Sequence, residues 1–128
     1  MVVEFEGKTL LLVDDDKDIL ASIEAALGDL GVNIVTASDG NTALEQAQAH
    51  DPDVVVLDMM LPKRSGFLVM EKLKSGKKRS DRPRIIMITG NRGVRHKDYA
   101  DSLGVSAYLN KPFRMEKLVE AVRKLLGE

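Results

Sequence analysis

An apolar run that ends in a carboxylate, within the stretch from Asp53 to Gly66, is the feature that most constrains the fold of this chain. Val54 to Leu57 are all aliphatic and mostly β-branched, which is typical of a strand buried on both faces of a parallel sheet. Pro62 belongs to the turn that ends the segment. Asp58 follows the run directly, and a charge at the end of a buried strand is costly unless it is solvated, paired or bound to a metal ion.

The rest of the chain alternates between short apolar runs and amphipathic stretches. The further strands are predicted at Thr9 to Val13, Asn33 to Ala37, Arg84 to Ile88 and Ser106 to Leu109. The helices are predicted between an N-cap at Asp16 and a stop at Gly31, around Ala43 to Ala47, from about Gly66 to Leu73, from about Val94 to Leu103, and from Met115 to Leu126. Because right-handed crossovers leave few other arrangements, this alternation predicts an α/β fold: a five-stranded parallel sheet with helices on both faces.

Size and composition predict one domain in a reducing compartment. At 128 residues, with 44% hydrophobic and 30% charged residues, we expect a short tail at residues 1–8 and a single domain at 9–127. No obvious linker sequence follows the last predicted helix, which favours a stand-alone protein. The chain has no cysteine, so disulfides and thiolate metal sites are excluded. With no signal peptide and no membrane-spanning apolar run, a cytoplasmic location and no membrane partner are expected.

The net charge of −1 hides an uneven distribution along the chain. Residues 1–62 contain 13 acids and 2 bases, a balance of −11, whereas residues 63–128 contain 7 acids and 17 bases, a balance of +10. This polarity predicts either electrostatic steering of charged partners or an attraction between the two halves within the fold. The sequence leaves both interpretations open.

Polar side chains follow several of the predicted strands at their carboxyl ends. Asp14 and Asp15 follow the first strand, Asp58 the third, Thr89 the fourth and Lys111 the fifth. In parallel sheets the functional crevice lies beyond these ends, where the strand order reverses. With the order 2-1-3-4-5, the three carboxylates, the hydroxyl and the ammonium would meet in one hollow.

Three neighbouring carboxylates repel one another unless a cation or a proton joins them, and oxygen ligands without histidine or cysteine favour Mg²⁺. A carboxylate can also act as a nucleophile and become an aspartyl-phosphate. Asp58 is the candidate nucleophile because it stands alone after the central strand, and Asp14 and Asp15 are the candidate metal ligands. Lys111 and Thr89 would then contact phosphoryl oxygens.

Four short motifs occur in order along the chain: VDDD at 13–16, LDMMLP at 57–62, ITG at 88–90 and YLNKPF at 108–113. Together they resemble the receiver domain of two-component response regulators, of the chemotaxis-regulator type. The resemblance covers the chain after its first eight residues and implies a flavodoxin-like fold with strand order 2-1-3-4-5. It also implies that Asp58 accepts a phosphoryl group from a sensor histidine kinase or a histidine phosphotransfer protein, and passes the signal to a downstream effector.

The same resemblance implies roles for further residues. Asp15, Asp58 and the backbone carbonyl of Met60 would ligate Mg²⁺, and Asp14 would act largely through a water. Thr89 and Tyr108 resemble the switch pair of the family, and Lys111-Pro112 its usual cis peptide bond. Met60 and Asn91 would tune the lifetime of the phosphoryl group.

Several of these residues also have a simpler interpretation. An aspartate after a strand is often a turn or capping residue, and this interpretation fits Asp16 and Asp39 best. His50 and His96 are predicted to be surface residues because neither has a partner at a ligand spacing. The basic run from Lys72 to Arg84 could bind nucleic acid, but without interleaved aromatic residues a solvated loop is the better interpretation.

The second half of the chain carries further basic residues on and around its last two helices. They are Arg92, Arg95, Lys97, Arg114, Lys117, Arg123 and Lys124. By resemblance this is the docking side of the family, formed by the fourth helix, the fifth strand and the fifth helix. We therefore expect an effector with an acidic surface there.

Three competing functions can be tested against the same residues. A flavin-binding protein would need a phosphate-cradling loop after the first strand, where this chain has DDDKD at 14–18. A phosphatase of the haloacid dehalogenase type would need an acid two residues past the nucleophile, where Met60 stands. An interaction module that is never phosphorylated predicts neither Mg²⁺ binding nor labelling by a phosphodonor.

Overall fold

The computed structural model describes residues 4–63, 65–74, 83–90 and 94–127, with only the backbone described at residues 94 and 95. The strands are β1 (Thr9–Val13), β2 (Asn33–Ala37), β3 (Val54–Asp58), β4 (Arg84–Thr89) and β5 (Ala107–Asn110). The helices are α1 (Lys17–Leu27), α2 (Gly40–His50), α3 (Gly66–Lys74), α4 (Val94–Ser102) and α5 (Met115–Leu126), and a short 3₁₀ turn at Gly28–Leu30 follows α1.

The five strands form one parallel sheet in the order β2-β1-β3-β4-β5, which confirms the predicted order. Alternate residues of the strands face opposite sides. On one side they form a core with α1 and α5, and on the other side a core with α2 and α3. Every residue of β3 is buried, as expected for a central strand that is covered on both faces.

Three strand boundaries differ slightly from the predictions. β3 and β4 each include one more residue, Asp58 and Thr89, and β5 begins and ends one residue later than predicted. The reason is backbone pairing, since Asp58 is in register with Ile88 and Thr89 with Asn110. Apolar patterns do not reveal the polar last residue of a strand, because its position is fixed by the neighbouring strand.

Two of the predicted caps are confirmed. The Asp16 carboxylate accepts hydrogen bonds from the backbone N–H groups of Asp18 and Ile19 at the start of α1. The Asp39 carboxylate likewise accepts from the backbone N–H of Thr42 at the start of α2, at 2.8 Å. These bonds satisfy donors that a helix leaves unpaired at its N-terminus.

The segment before β1 packs on the domain. Phe5 is half-buried against the core formed with α1 and α5, and its backbone N–H donates to the carbonyl of Leu30 at 3.1 Å. Glu4 forms an ion pair with Arg123 of α5 at 2.6 Å. The division into a tail at 1–8 and a domain at 9–127 stays a prediction. Within the described ranges, no helix combines the length and the apolar character needed to cross a membrane.

Candidate functional site

The sheet brings three of the predicted site residues together beyond the carboxyl ends of its strands. Because side chains alternate along a strand, Asp14 and Asp58 continue the rows of β1 and β3 that face α1 and α5. Lys111 continues the corresponding row of β5, and its backbone N–H donates to the Thr89 carbonyl at 2.7 Å. The strand order places β1 and β3 side by side, so both carboxylates lie within reach of one lysine.

Lys111 bridges the two buried carboxylates. Its Nζ lies 3.0 Å from Oδ2 of Asp14 and 3.3 Å from Oδ2 of Asp58. Asp14 is 1% exposed and Asp58 is 3% exposed. Each second oxygen accepts a backbone hydrogen bond, Asp14 Oδ1 from the N–H of Asp16 at 2.9 Å and Asp58 Oδ1 from the N–H of Met60 at 3.1 Å. Together these contacts fix the orientation of both carboxylates.

The site holds more negative charge than Lys111 alone neutralises. Burial raises the pKa of the Asp58 carboxyl, and the charge of Asp14 adds to this effect, although the hydrogen bond from Met60 and the Lys111 ammonium oppose it. Burial acts to lower the pKa of Lys111, but its hydrogen bond with Asp14 and the charges of Asp58 and Asp14 outweigh that effect and raise it. The lysine is therefore held as an ammonium, and the Asp58 carboxylate is the form that a further cation would stabilise.

The carboxylates form a group that could hold a metal ion. One oxygen each from Asp14, Asp15 and Asp58 lies within 4.8 Å of the other two. Asp15 is exposed, so the group opens toward solvent on one side. Oxygen donors without histidine or cysteine suit a hard divalent cation such as Mg²⁺, which keeps several waters and leaves room for a phosphate oxygen. The donor set therefore fits the ion that the sequence predicts.

Thr89 and Tyr108 lie on the opposite face of the sheet from Asp58. Thr89 is fully buried and stands opposite Asn110, whereas Tyr108 stands opposite Met87, so the two side chains share a face and are two residue pairs apart. The Tyr108 hydroxyl is buried without a hydrogen-bond partner in the part of the chain that the structure describes. Burial raises its pKa, against the charge of Lys97, whose Nζ lies 5.9 Å from the ring centre.

The remaining predicted residues are placed as follows. Met60 is 64% exposed beside the site. The Lys111-Pro112 peptide bond is cis. Asn91, Arg92 and residues 75–82 of the basic run lie outside the described residues, and so does the Arg95 side chain.

One prediction about the surroundings of the site is wrong. His96 is not a simple surface residue, because its ring stacks on Phe67 of α3 with centroids 6.1 Å apart and its Nδ1 is buried. The contact joins two helices that are distant in sequence, so no spacing rule could have indicated it. His50 is exposed, as expected.

One residue that the sequence did not single out for the site is essential to its geometry. A Cβ added at Gly66 would lie 2.5 Å from the carbonyl oxygen of Asp58 and 2.7 Å from the Cα of Met59. The Gly66 N–H also donates to the Met59 carbonyl at 2.8 Å. In the sequence Gly66 signals only a turn, because the close backbone approach is formed by the fold.

Comparison with known proteins agrees with this geometry. Residues 10–123 match the family model of the response regulator receiver domain. The chain is 39% identical over 124 residues to a probable transcriptional regulator, ycf27, of Cyanophora paradoxa, covering 97% of this chain and 50% of that protein. It is 38% identical over 120 residues to the probable transcriptional regulatory protein TcrX of Mycobacterium tuberculosis, covering 92% and 49%. The chain thus spans about half the length of these relatives.

Solved structures of response regulators have the same fold as this chain. The receiver domain of the Francisella response regulator 1452 superimposes with a TM-score of 0.84 at 27% identity, covering 94% of this chain and 98% of that one. The chemotaxis protein CheY4 of Vibrio cholerae gives 0.82 at 28% identity, covering 92% and 98%. The BeF3-activated N-terminal receiver domain of Klebsiella pneumoniae RstA gives 0.83 at 25% identity, covering 94% and 100%.

Proposed function

Because the chain belongs to the response regulator receiver domain family, we propose that it is a phosphoacceptor whose Asp58 takes a phosphoryl group from a histidine kinase or a histidine phosphotransfer protein. The observation that carries this proposal is the buried Asp58 carboxylate, fixed by Lys111 and by the backbone N–H of Met60 within a group of three carboxylates. Relatives named as transcriptional regulators support a role in signal transduction.

The transfer itself needs one nucleophile and one leaving group. A carboxylate oxygen of Asp58 attacks the phosphorus of a phosphohistidine, the phosphorus–nitrogen bond breaks, and the imidazole leaves with the electron pair and takes up a proton. The product is an acyl phosphate on Asp58. Lys111 is already 3.3 Å from Oδ2 of Asp58, so its ammonium can follow the negative charge onto a phosphoryl oxygen.

Asp14, Asp15 and Asp58, together with the Met60 carbonyl, would hold Mg²⁺. The bound ion would supply positive charge to phosphoryl oxygens that would otherwise be repelled by the carboxylates. Lys111 cannot do this alone, because it already neutralises two buried carboxylates. The exposed position of Asp15 would leave the solvent side of the site open to the phosphodonor.

Phosphorylation would replace the single charge of the Asp58 carboxylate at the end of β3 by the roughly −1.5 to −2 charges of a phosphoryl group. The Thr89 hydroxyl would be drawn to a phosphoryl oxygen, and the Tyr108 ring would move into the space that Thr89 leaves on their shared face of the sheet. The phosphoryl group need only interact more strongly with one of the two arrangements of Thr89 and Tyr108. A difference of about 5.5 kcal/mol in that interaction free energy would change the ratio of the two arrangements from 1:99 to 99:1.

The downstream partner would be an effector protein that docks on the surface formed by α4, β5 and α5. Phosphoryl transfer and effector binding would both take place in the cytoplasm. Arg114, Lys117 and Lys124 are exposed on or beside α5 and would attract an acidic surface. Lys97 and Arg123 are exposed too, but they are already paired with Asp101 and Glu4. We expect effector binding to weaken as ionic strength rises, and binding insensitive to salt would contradict this surface.

The test is incubation with Mg²⁺ and a small acyl-phosphate donor, followed by intact-mass analysis. We expect one added phosphoryl group on the wild-type protein, none on Asp58→Asn, and none after Mg²⁺ is removed with a chelator. Asp16→Asn is the matched control, because asparagine caps a helix as well as aspartate does, and it should be labelled like wild type. Rapid multiple-turnover hydrolysis of generic phosphate esters would instead support a phosphatase.

A further inference from the structure

Helix α4 is weakly anchored to the body of the protein. Of its described side chains only Ala100 is buried, while Lys97, Asp98, Tyr99, Asp101 and Ser102 are all exposed. Elements with few buried apolar contacts lie at the low end of local stability and move most easily. Among the described side chains, α4 is therefore held by a small number of contacts, and its two ring–ring contacts are made with α3.

The first residue of α3 is pressed against the backbone of the candidate site. Gly66 has no space for a side chain, because an added Cβ would lie 2.5 Å from the Asp58 carbonyl oxygen. Its N–H is hydrogen-bonded to the Met59 carbonyl at 2.8 Å. A displacement of residues 58 and 59 toward Gly66 would therefore push against the start of α3.

The next residue of α3 joins that helix to α4. The Phe67 ring stacks on the His96 ring, with an interplanar angle of 26°, and meets the edge of the Tyr99 ring with centroids 4.9 Å apart. Such ring pairs are worth about 0.5–1.5 kcal/mol beyond the area they bury. One ring of α3 thus contacts two residues of α4 that are three positions apart, on the same face of that helix.

A polar contact holds the same pair of helices one turn further along α3. The Tyr99 hydroxyl donates a hydrogen bond to Oε1 of Glu71, at 2.5 Å. This bond raises the pKa of Tyr99, which keeps the hydroxyl protonated as a donor. Phe67 and Glu71 are four residues apart, so α3 contacts α4 with two adjacent positions of one face.

We propose that α4 follows the phosphoryl state of Asp58 through α3, with Phe67 as the positioning residue that passes a displacement of residues 58 and 59 on to His96 and Tyr99. This inference rests on the proposed function, but it uses a route separate from Thr89 and Tyr108. It deepens that function by naming which contacts between helices regulate the docking surface.

Two buried polar atoms at α4 support a second position for this helix. His96 Nδ1 and the Tyr108 hydroxyl both lack a hydrogen-bond partner among the described residues, and Lys97 of α4 lies over the Tyr108 ring. Leaving a buried polar group unpaired costs free energy. A shift of α4 that gives either atom a partner would recover that cost.

The test is hydrogen exchange of the α4 amides, residues 94–102, with and without Mg²⁺ and beryllium fluoride as a stable phosphoryl mimic. We expect the wild-type protein to change its α4 exchange rates several-fold when the mimic is added. Phe67→Leu should lose at least about half of that change, while its Asp58 is still labelled by an acyl-phosphate donor. Tyr99→Phe, which removes only the hydrogen bond to Glu71, should show an intermediate loss.

Leu68→Ala is the matched control, because Leu68 is the next residue of α3 but is half-exposed to solvent. Its α4 response should equal that of wild type. A full α4 response in Phe67→Leu would overturn the inference, and if that variant fails to fold, a full response in Tyr99→Ala, which removes the exposed ring that Phe67 contacts, would do the same. Failure of the wild-type protein to be labelled would instead overturn the proposed function and this inference together.

Discussion

Lys111 is the residue whose loss should cost the site most. It contacts Asp14 and Asp58, which are both almost completely buried. Removing one partner of a buried charge pair leaves uncompensated charge, which costs more than the pair itself contributes. Because the lysine side chain is about a quarter exposed, solvent screening reduces this cost.

Lys111→Met is therefore expected to lower the free energy of unfolding by about 2 kcal/mol when Mg²⁺ is absent. Added Mg²⁺ should stabilise this variant more than it stabilises wild type, since the unpaired carboxylates then gain a cation. Urea unfolding with and without Mg²⁺ measures both effects. Lys117→Met removes an exposed lysine of α5 and should change little, and an equal loss in both variants would contradict this role of Lys111.

Asp39 gives a pH-dependent prediction at a residue outside the group of three carboxylates. Its hydrogen bond from the Thr42 backbone lowers its pKa from the usual 3.8, although burial opposes this, and further hydrogen bonds and the Lys63 charge contribute. A carboxyl whose folded-state pKa is lowered contributes stability above its unfolded pKa and loses it as the pH falls through the folded value.

Asp39→Asn keeps a cap but removes the titration. Wild type should be more stable than this variant at neutral pH, and the difference should vanish as the pH falls below about 3.8 toward the lowered pKa. Chemical denaturation of both proteins across this range measures the difference. A difference that stays constant with pH would show that the Asp39 charge has no stabilising role.

Among single residues, the sequence predicted best which side chains come together. Three carboxylates after two strands were enough to predict a cluster of acids, because parallel strands end at one edge. The meeting of Lys111 with the carboxylates was predicted as well. The stacking of His96 on Phe67 was not predictable, because it depends on how two distant helices pack.

Among the elements, the start of α3 is the one most tightly coupled to the site. Gly66→Ala would force its Cβ against backbone atoms of residues 58 and 59, which cannot turn away as a flexible side chain could. We expect a loss of stability of about 1–3 kcal/mol and slower phosphorylation of Asp58. Intact-mass kinetics and urea unfolding measure the two effects.

Gly28→Ala is the matched control in the 3₁₀ turn after α1. An added Cβ there meets nothing within 4 Å, and its φ of −58° suits any residue. This variant should be as stable as wild type or slightly more stable, because alanine restricts the unfolded chain. If both alanine variants behaved alike, the crowding at Gly66 would not be the cause.

The helices and strands themselves were largely predictable. Strong apolar runs and caps located all five strands and all five helices to within a few residues, because local pattern and fold agree along most of this chain. The packing of α3 against α4 was not predictable. The described side chains of α4 are mostly exposed, so its sequence lacks the apolar stripe that would indicate which side of the helix packs on a neighbour.

In the molecule as a whole, acids of the first half of the chain form ion pairs with bases of the second half. Four ion pairs between described side chains join an acid of residues 1–62 to a base of residues 63–128: Lys63–Asp39, Lys111–Asp14, Lys111–Asp58 and Arg123–Glu4. The pair Lys97–Asp101 lies within the second half. These ion pairs show that the two halves of the chain attract each other within the fold. Electrostatic steering of an acidic partner remains a prediction.

The segment before β1 contributes to the stability of the folded domain. Phe5→Ala should lower the free energy of unfolding by about 1 kcal/mol, because a half-buried aromatic side chain loses its contacts with the core. Glu4→Gln removes only an exposed ion pair and should have little effect. Urea unfolding measures both, and labelling of Asp58 should be unchanged in each, since neither residue is part of the carboxylate group.

The packing of Phe5 matters to anyone who grafts this domain into a chimeric sensor. A junction cut at Thr9, where regular structure begins, would discard this aromatic side chain and uncover part of the core that it packs against. Splicing upstream of Glu4 would keep that apolar surface covered.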